Sequence, residues 1–214
     1  MKKIICFAAI ALTFFGCADD DTAATASEPK PISVTTHIEN GLSQTRSFTY
    51  DAKGRLATLS KSGETVTFSY DENNLVRRVK SSSKNYYLNY DANGKFTEFF
   101  NATDNEVVEF YHQGDNNYLT DGIFLAFHTN GDWRVFDYRD FTYSEGKGPF
   151  ANVKHLNMLA VTLADEGALR YCAIKRRQTF AMDGVSIAYE CAEAPADLPT
   201  SERLGETRYS YQYE

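Results

Sequence analysis

The residues of this 214-residue chain that could do chemistry are four cysteines, four histidines and a scatter of carboxylates. A nucleophile needs a base within hydrogen-bond reach, and a metal needs ligands at regular spacing. The histidines, His37, His112, His128 and His155, are far apart in sequence and none lies beside a cysteine. They read as surface or turn residues. There is no Gly-x-Ser-x-Gly elbow, His-Glu-x-x-His, phosphate loop or Cys-x-x-Cys. The carboxylate pairs Glu106/Glu109 and Asp137/Asp140 have the residue types for general acid–base work, but their spacing imposes no geometry. Asp115-Asn116-Asn117 offers oxygens to calcium and reads more simply as a polar turn. The expectation is therefore no catalytic residue, no metal, no cofactor and no enzyme.

Two of the cysteines belong to an address. Lys2 and Lys3 precede an apolar run from Ile4 to Phe15. That run suits a secretory signal over 1–16 and is too short to span a bilayer, which takes about 20 residues. Phe14-Phe15-Gly16-Cys17 resembles a bacterial lipobox, with Phe14 where Leu is usual. The resemblance implies that Cys17 is acylated and becomes the first mature residue. Residues 17–33, with Asp19-Asp20-Asp21, Pro29 and Pro31, have little to bury and predict a flexible acidic tether. About 15 such residues reach on the order of 20 Å. The acidic run after the cysteine is similar to surface-export signals of Bacteroidota lipoproteins. It implies an outer-membrane protein at the cell surface, with the periplasmic face as the alternative.

Cys172 and Cys191 remain. Secretion places them in an oxidising compartment, where a lone pair usually joins. Met182-Asp183-Gly184 signals a turn near their midpoint. A hairpin about that turn would set them nearly opposite, so a Cys172–Cys191 disulfide is expected.

A net charge of −7 argues against a nucleic-acid partner. The aromatic balance, 14 Tyr and 15 Phe against one Trp and three Met, traces to a repeat. Ser47–Leu56, Thr67–Val76 and Tyr87–Phe96 align, with tyrosines at 50, 70 and 90. Phe48/Tyr50, Phe68/Tyr70 and Leu88/Tyr90 each share one face of an extended chain. Asp51, Asp71 and Asp91 then open a turn, and Gly54, Asn74 and Gly94 fill a position suited to positive φ. Each twenty-residue unit therefore predicts one hairpin.

The Tyr-Asp-x-x-Gly-Arg-Leu pattern resembles the YD repeat of Rhs-type and teneurin-type proteins over residues 46–100. Phe110–Gly114 and Phe127–Trp133 look like degenerate copies with His in place of Tyr or Asp. With the lipobox, the chain resembles a group of Bacteroidota lipoproteins built from YD-like hairpins. Tyr143–Phe150 and the ending Leu198–Thr200 with Thr207–Tyr213 resemble that group's later features.

The expected architecture is mainly β. A single domain over 34–214 forms an antiparallel hairpin meander of roughly a dozen strands, curled into a partial barrel or strongly twisted sheet. One short helix is expected within Asn152–Glu166, where Leu156, Leu159, Ala160 and Leu163 have helical spacing and Gly167 is a stop. The functional expectation is a lipid-anchored, non-enzymatic binding or scaffold module for a glycan or an envelope protein. The alternative is a carboxylate-dependent hydrolase on the same sheet. Tyr111, Tyr118, Trp133 and Tyr138 leave the repeat register and are the candidate ligand-binding aromatics, with Trp133 first.

Overall fold

The computed structural model describes residues 28–38, 41–193 and 197–214. The signal at 1–16, the Cys17 lipidation site and residues 17–27 of the expected tether lie outside them. The strands are β1 (Pro31–Ile38), β2 (Ser43–Tyr50), β3 (Leu56–Lys61), β4 (Glu64–Tyr70), β5 (Val76–Lys80), β6 (Asn85–Tyr90), β7 (Phe96–Asn101), β8 (Glu106–Glu109) and β9 (Tyr111–His112). They continue with β10 (Asn117–Thr120), β11 (Ile123–Phe127), β12 (Trp133–Phe136) and β13 (Arg139–Lys147). Two short helices, α1 (Met158–Ala164) and α2 (Ala168–Tyr171), precede β14 (Lys175–Met182), β15 (Val185–Glu193), β16 (Pro199–Leu204) and β17 (Thr207–Tyr213). The first strand starts at Pro31, inside the stretch expected to be tether.

These elements form one antiparallel sheet that is nearly closed into a barrel. Successive strands pair from β1 to β8 and from β9 to β17, and β17 returns to pair with β1 over Pro31–Ile38. At the seam, Phe110 between β8 and β9 still donates its N–H to the Thr97 carbonyl of β7, at 2.8 Å. The hairpin meander is as expected, with 17 strands in place of a dozen.

The repeat explains why the sheet curls. The ladders slip by one residue at Thr49/Tyr50, Ser69/Tyr70 and Asn89/Tyr90, the same place in each copy. A bulge sharpens the local twist, so one per hairpin bends the sheet steadily. The turns behave as predicted. Asp51 Oδ1 accepts the N–H groups of Lys53 and Arg55, and Asp91 Oδ1 those of Asn93 and Lys95. Gly54, Asn74 and Gly94 have φ of 76°, 65° and 74°. The copy at Phe127–Trp133 is also real. Gly131 N–H closes onto the His128 carbonyl at 2.9 Å, as Gly54 N–H does onto Asp51.

Inside the wall lies the segment between β13 and β14. Phe150, Val153, Met158 to Val161, Leu169, Tyr171 and Cys172 are buried. This plug touches the wall around its girth. Phe150 packs edge-on to Phe48 with centroids 5.1 Å apart. Asn157 donates to Tyr90 Oη at 3.1 Å, Trp133 Nε1 to Thr162 Oγ1 at 3.2 Å, and Tyr211 Oη to the Tyr171 carbonyl at 3.0 Å. Gly148 is pressed so close to the chain leaving the plug that a Cβ would sit 2.5 Å from the Lys175 carbonyl oxygen. The outer wall is polar in part, with threonine pairs such as Thr49–Thr58 and Thr142–Thr179 hydrogen bonded across strands, while β6–β11 expose Tyr87, Val107, Tyr111, Leu119 and Phe124.

The one short helix expected within Asn152–Glu166 is α1, and a second, α2, follows just outside that stretch. Asn157 caps α1 by accepting from Ala160 N–H at 2.9 Å, so Leu156 stays outside it. Gly167 does not merely stop a helix; it opens α2. The expected disulfide is corrected, because Cys172 and Cys191 are free thiols. The turn at Asp183-Gly184 forms, but its register pairs Met182 with Val185 and Thr179 with Ala188. Cys172 lies before β14 at the end of α2, with its thiol on the Met158 sulfur at 3.8 Å. Cys191 pairs instead with Glu202 of β16.

Candidate functional site

The two ends of the barrel differ. One end carries the Asp turns at 51–54, 71–74 and 91–94 and the first described residues, since Tyr50 Oη donates to the Pro31 carbonyl at 2.6 Å. The other end carries the short hairpin turns at 62–63 and 183–184 and the α1–α2 junction. A cleft of about 630 Å³ opens at this second end. Its lining includes Arg46, Lys61, Lys84, Arg139 and Arg170 against Glu64, Asp165 and Glu166.

Asp165 organises its floor. It is buried and terminates α1. Arg46 Nε bonds it at 2.5 Å, Lys61 Nζ at 2.8 Å and Tyr171 Oη at 2.9 Å. Burial alone would raise its carboxyl, but the Lys61 and Arg46 hydrogen bonds and charges outweigh that and hold it below the usual range. Lys84 Nζ satisfies the last carbonyls of α1, Leu163 at 3.0 Å and Ala164 at 2.7 Å. A cation there also complements the negative end of the helix. Glu64 is held down to about 2 by the hydroxyls of Ser81 and Ser83, which both donate to it. Arg139 stacks on Tyr138 and lies 3.7 Å from Glu166. Arg170 stacks on Phe180 with its guanidinium 5.8 Å from the ring centre.

The other buried carboxylates have partners inside the fold, although Glu202 Oε1 has none. Asp132 accepts the N–H groups of Ile174 and Lys175 at 2.7 and 2.8 Å and the Asn130 amide at 2.7 Å; desolvation still raises it. Glu202 pairs with Arg177 at 3.3 Å and accepts from Tyr211 Oη at 2.6 Å, deep in the core. Its burial likewise outweighs both partners and raises it. Among the described residues, no three of His, Cys, Asp or Glu converge as metal ligands.

The aromatics chosen from sequence divide. Trp133 is wholly buried, stacked on Phe127 at 4.2 Å, and Tyr118 is buried among Phe96, Phe110 and Phe127. Trp133 is packed in the core, and Tyr118 is buried at the wall of a small pocket of about 210 Å³ with Phe96 and Phe127. Trp133 pairs with the inward Phe127 at a degenerate turn, so its side chain follows the core register. Tyr111 and Tyr138 are exposed, but on different parts of the molecule. Tyr111 lies on β9 beside Glu109; Tyr138 follows the Asp137 turn at the rim of the cleft. Glu106 and Glu109 are exposed on β8, and His112 bonds the Asp115 carbonyl in a turn.

The cleft residues were missed. Arg46 held the available signal. It sits two residues before Phe48, a charge inside the apolar register of β2, and such a charge must find a buried partner. That partner, Asp165, lies 119 residues on and no local pattern reveals it.

Comparison with known proteins bears on the wall. Residues 33–106 match the family described as Teneurin YD-shell, so this part of the chain is YD-repeat sheet. No curated protein matches the chain. Among solved structures, the chain is similar to a porin-like protein from Bacteroides uniformis. They share 11% identity with a TM-score of 0.44 over 85% of this chain and 96% of that one.

Proposed function

We propose that the chain is a lipid-anchored envelope lipoprotein that acts as a non-enzymatic binding or scaffold module, with a glycan or protein ligand. It is held at the outer membrane through Cys17 and faces the cell surface. The observation that carries this reading is polarity along the barrel. The chain enters the fold at the Asp-turn end, and the cleft opens at the other. Eight residues of β1 separate the two, on the order of 25 Å at strand rise. A tethered molecule would thus turn its cleft away from the membrane.

Three further features support the reading. Much of the outer wall bears threonine pairs and charges, and the largest buried apolar side chains face inward, although Tyr87, Val107, Tyr111, Leu119 and Phe124 are exposed on its outside. The plug fills the interior, so the wall surrounds a core and not a channel. Among the described residues the buried carboxylates Asp132, Asp165 and Glu202 each accept hydrogen bonds from the fold, which favours structural roles for them.

The test combines fractionation with proteolysis of intact cells. The wild-type protein should enter the outer-membrane fraction and be shaved from cells, and Cys17→Ser should release it. Wild type in the soluble fraction, or release unaffected by Cys17→Ser, would remove the anchor from the proposal. Binding of envelope proteins or glycans to the purified protein tests the module itself.

A further inference from the structure

Next to the cleft, and joined to it through Phe180 and Arg139, lies an apolar rim that the charges do not explain. Strand alternation puts Phe180 and Met182 of β14 on the inner face, and pairing puts Ile187 and Val185 beside them. Phe180 is buried, but Met182, Val185 and Ile187 are 36%, 63% and 39% exposed. On β11, Leu125 faces the core while Ile123, two residues nearer the rim, is 39% exposed. Arg139 pairs with Met182, and Tyr138 stands beside Arg139. The β11–β15 side of the barrel therefore rises past the core and leaves inward-facing aliphatic side chains uncovered beside the cleft residues Arg139 and Phe180.

At its foot stands Arg170. Its guanidinium rests on Phe180 and has no hydrogen-bond partner among the described residues. It lines the cleft with Lys61, whose side chain is about a third exposed. An uncovered aliphatic rim thus meets a cleft lined by five cations and three carboxylates, positive in balance in a chain whose overall charge is −7.

We infer that this end of the barrel docks a protein segment that carries acidic and aliphatic side chains together. This deepens the binding-module reading and rests on it. The occupant is chosen by chemistry. A sugar ring stacks on a flat aromatic face, whereas Ile123, Met182, Val185 and Ile187 pack best against other aliphatic side chains. Methionine, arginine and tyrosine beside an apolar patch are also the composition of a protein interface core. Acidic groups on the partner would engage Arg170 first, since Lys61 holds Asp165 and Arg139 lies 3.7 Å from Glu166, and the positive balance of the cleft would speed the encounter.

The test needs no prior partner. The mature chain, immobilised through its N-terminal end, is used to select from a random peptide-display library. Enriched peptides should combine Asp or Glu with Leu, Ile or Phe, and a synthetic copy should bind more weakly as salt rises. Arg170→Gln and Val185→Asp, both at exposed positions, should each weaken that peptide about tenfold or more. Outer-wall Tyr87→Ala should leave it unchanged. Circular dichroism of each variant excludes misfolding. Peptides without acidic residues, binding that ignores both variants, or binding of chondroitin sulfate in place of any peptide would overturn the inference. The last result would leave the broader binding-module reading standing.

Discussion

The hydroxyl of Tyr213 donates to the carbonyl of Pro199 at 2.7 Å, across fourteen residues. Tyr70 reaches Leu56 and Tyr90 reaches Val76 at 2.8 Å with the same fourteen-residue step. The final hairpin thus uses the lock of the repeats although it lacks their Asp turn. Each lock ties the end of one strand to the start of the strand before it. Tyr70→Phe and Tyr213→Phe should each cost about 1 kcal/mol. For a chain of this size that lowers Tm by roughly 2–4 °C. Thermal unfolding followed by circular dichroism checks it, and unchanged midpoints in both variants would refute the lock.

The Arg177–Glu202 pair is almost wholly removed from water. Breaking a buried pair from one side strands the other charge, so Arg177→Met alone should cost about 3–5 kcal/mol. Replacing both, as Arg177→Met with Glu202→Leu, should recover much of that loss. Urea unfolding of the singles and the double measures the coupling. A double variant that merely sums the two losses would contradict it.

Asp165 should make the fold acid-sensitive. Its carboxyl is held below the value it has in the unfolded chain. The unfolded state therefore takes up the proton first as pH falls. The stabilisation by Arg46 and Lys61 is present at neutral pH and fades as pH drops from about 4 downward. Asp165→Asn should be less stable than wild type at pH 7 and should close that gap in acid. Urea midpoints that keep a constant difference across the range would contradict this.

Thiol titration should count two free cysteines in protein prepared without reductant. Burial pushes both thiols up, Cys172 the more strongly because it is fully enclosed by the plug. Cys191 should react in the native state and Cys172 only after unfolding. A count of zero after denaturation would restore the disulfide.

The wall was legible in the sequence because its determinants are local. The alternation of Phe68 with Tyr70, the Asp71 turn and the positive φ of Asn74 lie within seven residues of each other. The same locality revealed the degenerate turn at His128–Gly131. Of the plug only α1 was read, within its stretch; Asp165 ends it ahead of the expected Gly167 stop, and the four-residue α2 is too short to show a period. Trp133 deceived for a related reason. Its polar neighbours, Asp132 and Arg134, suggested a surface, yet Asp132 is itself buried and bonded to the chain at 174–175. The cleft depends on pairs such as Arg46–Asp165 and Lys84–Ala164, separated by 119 and 80 residues. No periodicity spans such distances.

Pairing of β1 with β17 has a consequence for how the molecule comes into being. The first strand finds its second neighbour only when the last seven-residue strand is available. A chain whose last strand is not yet free to pair cannot close, so it stays open along one edge until that strand is available. Contacts between the two ends carry the largest loop-closure cost, so ring closure should be the slow event of folding. Removing the C-terminal strand would leave two unpaired edges and expose the plug, converting a sealed shell into an aggregation-prone ribbon.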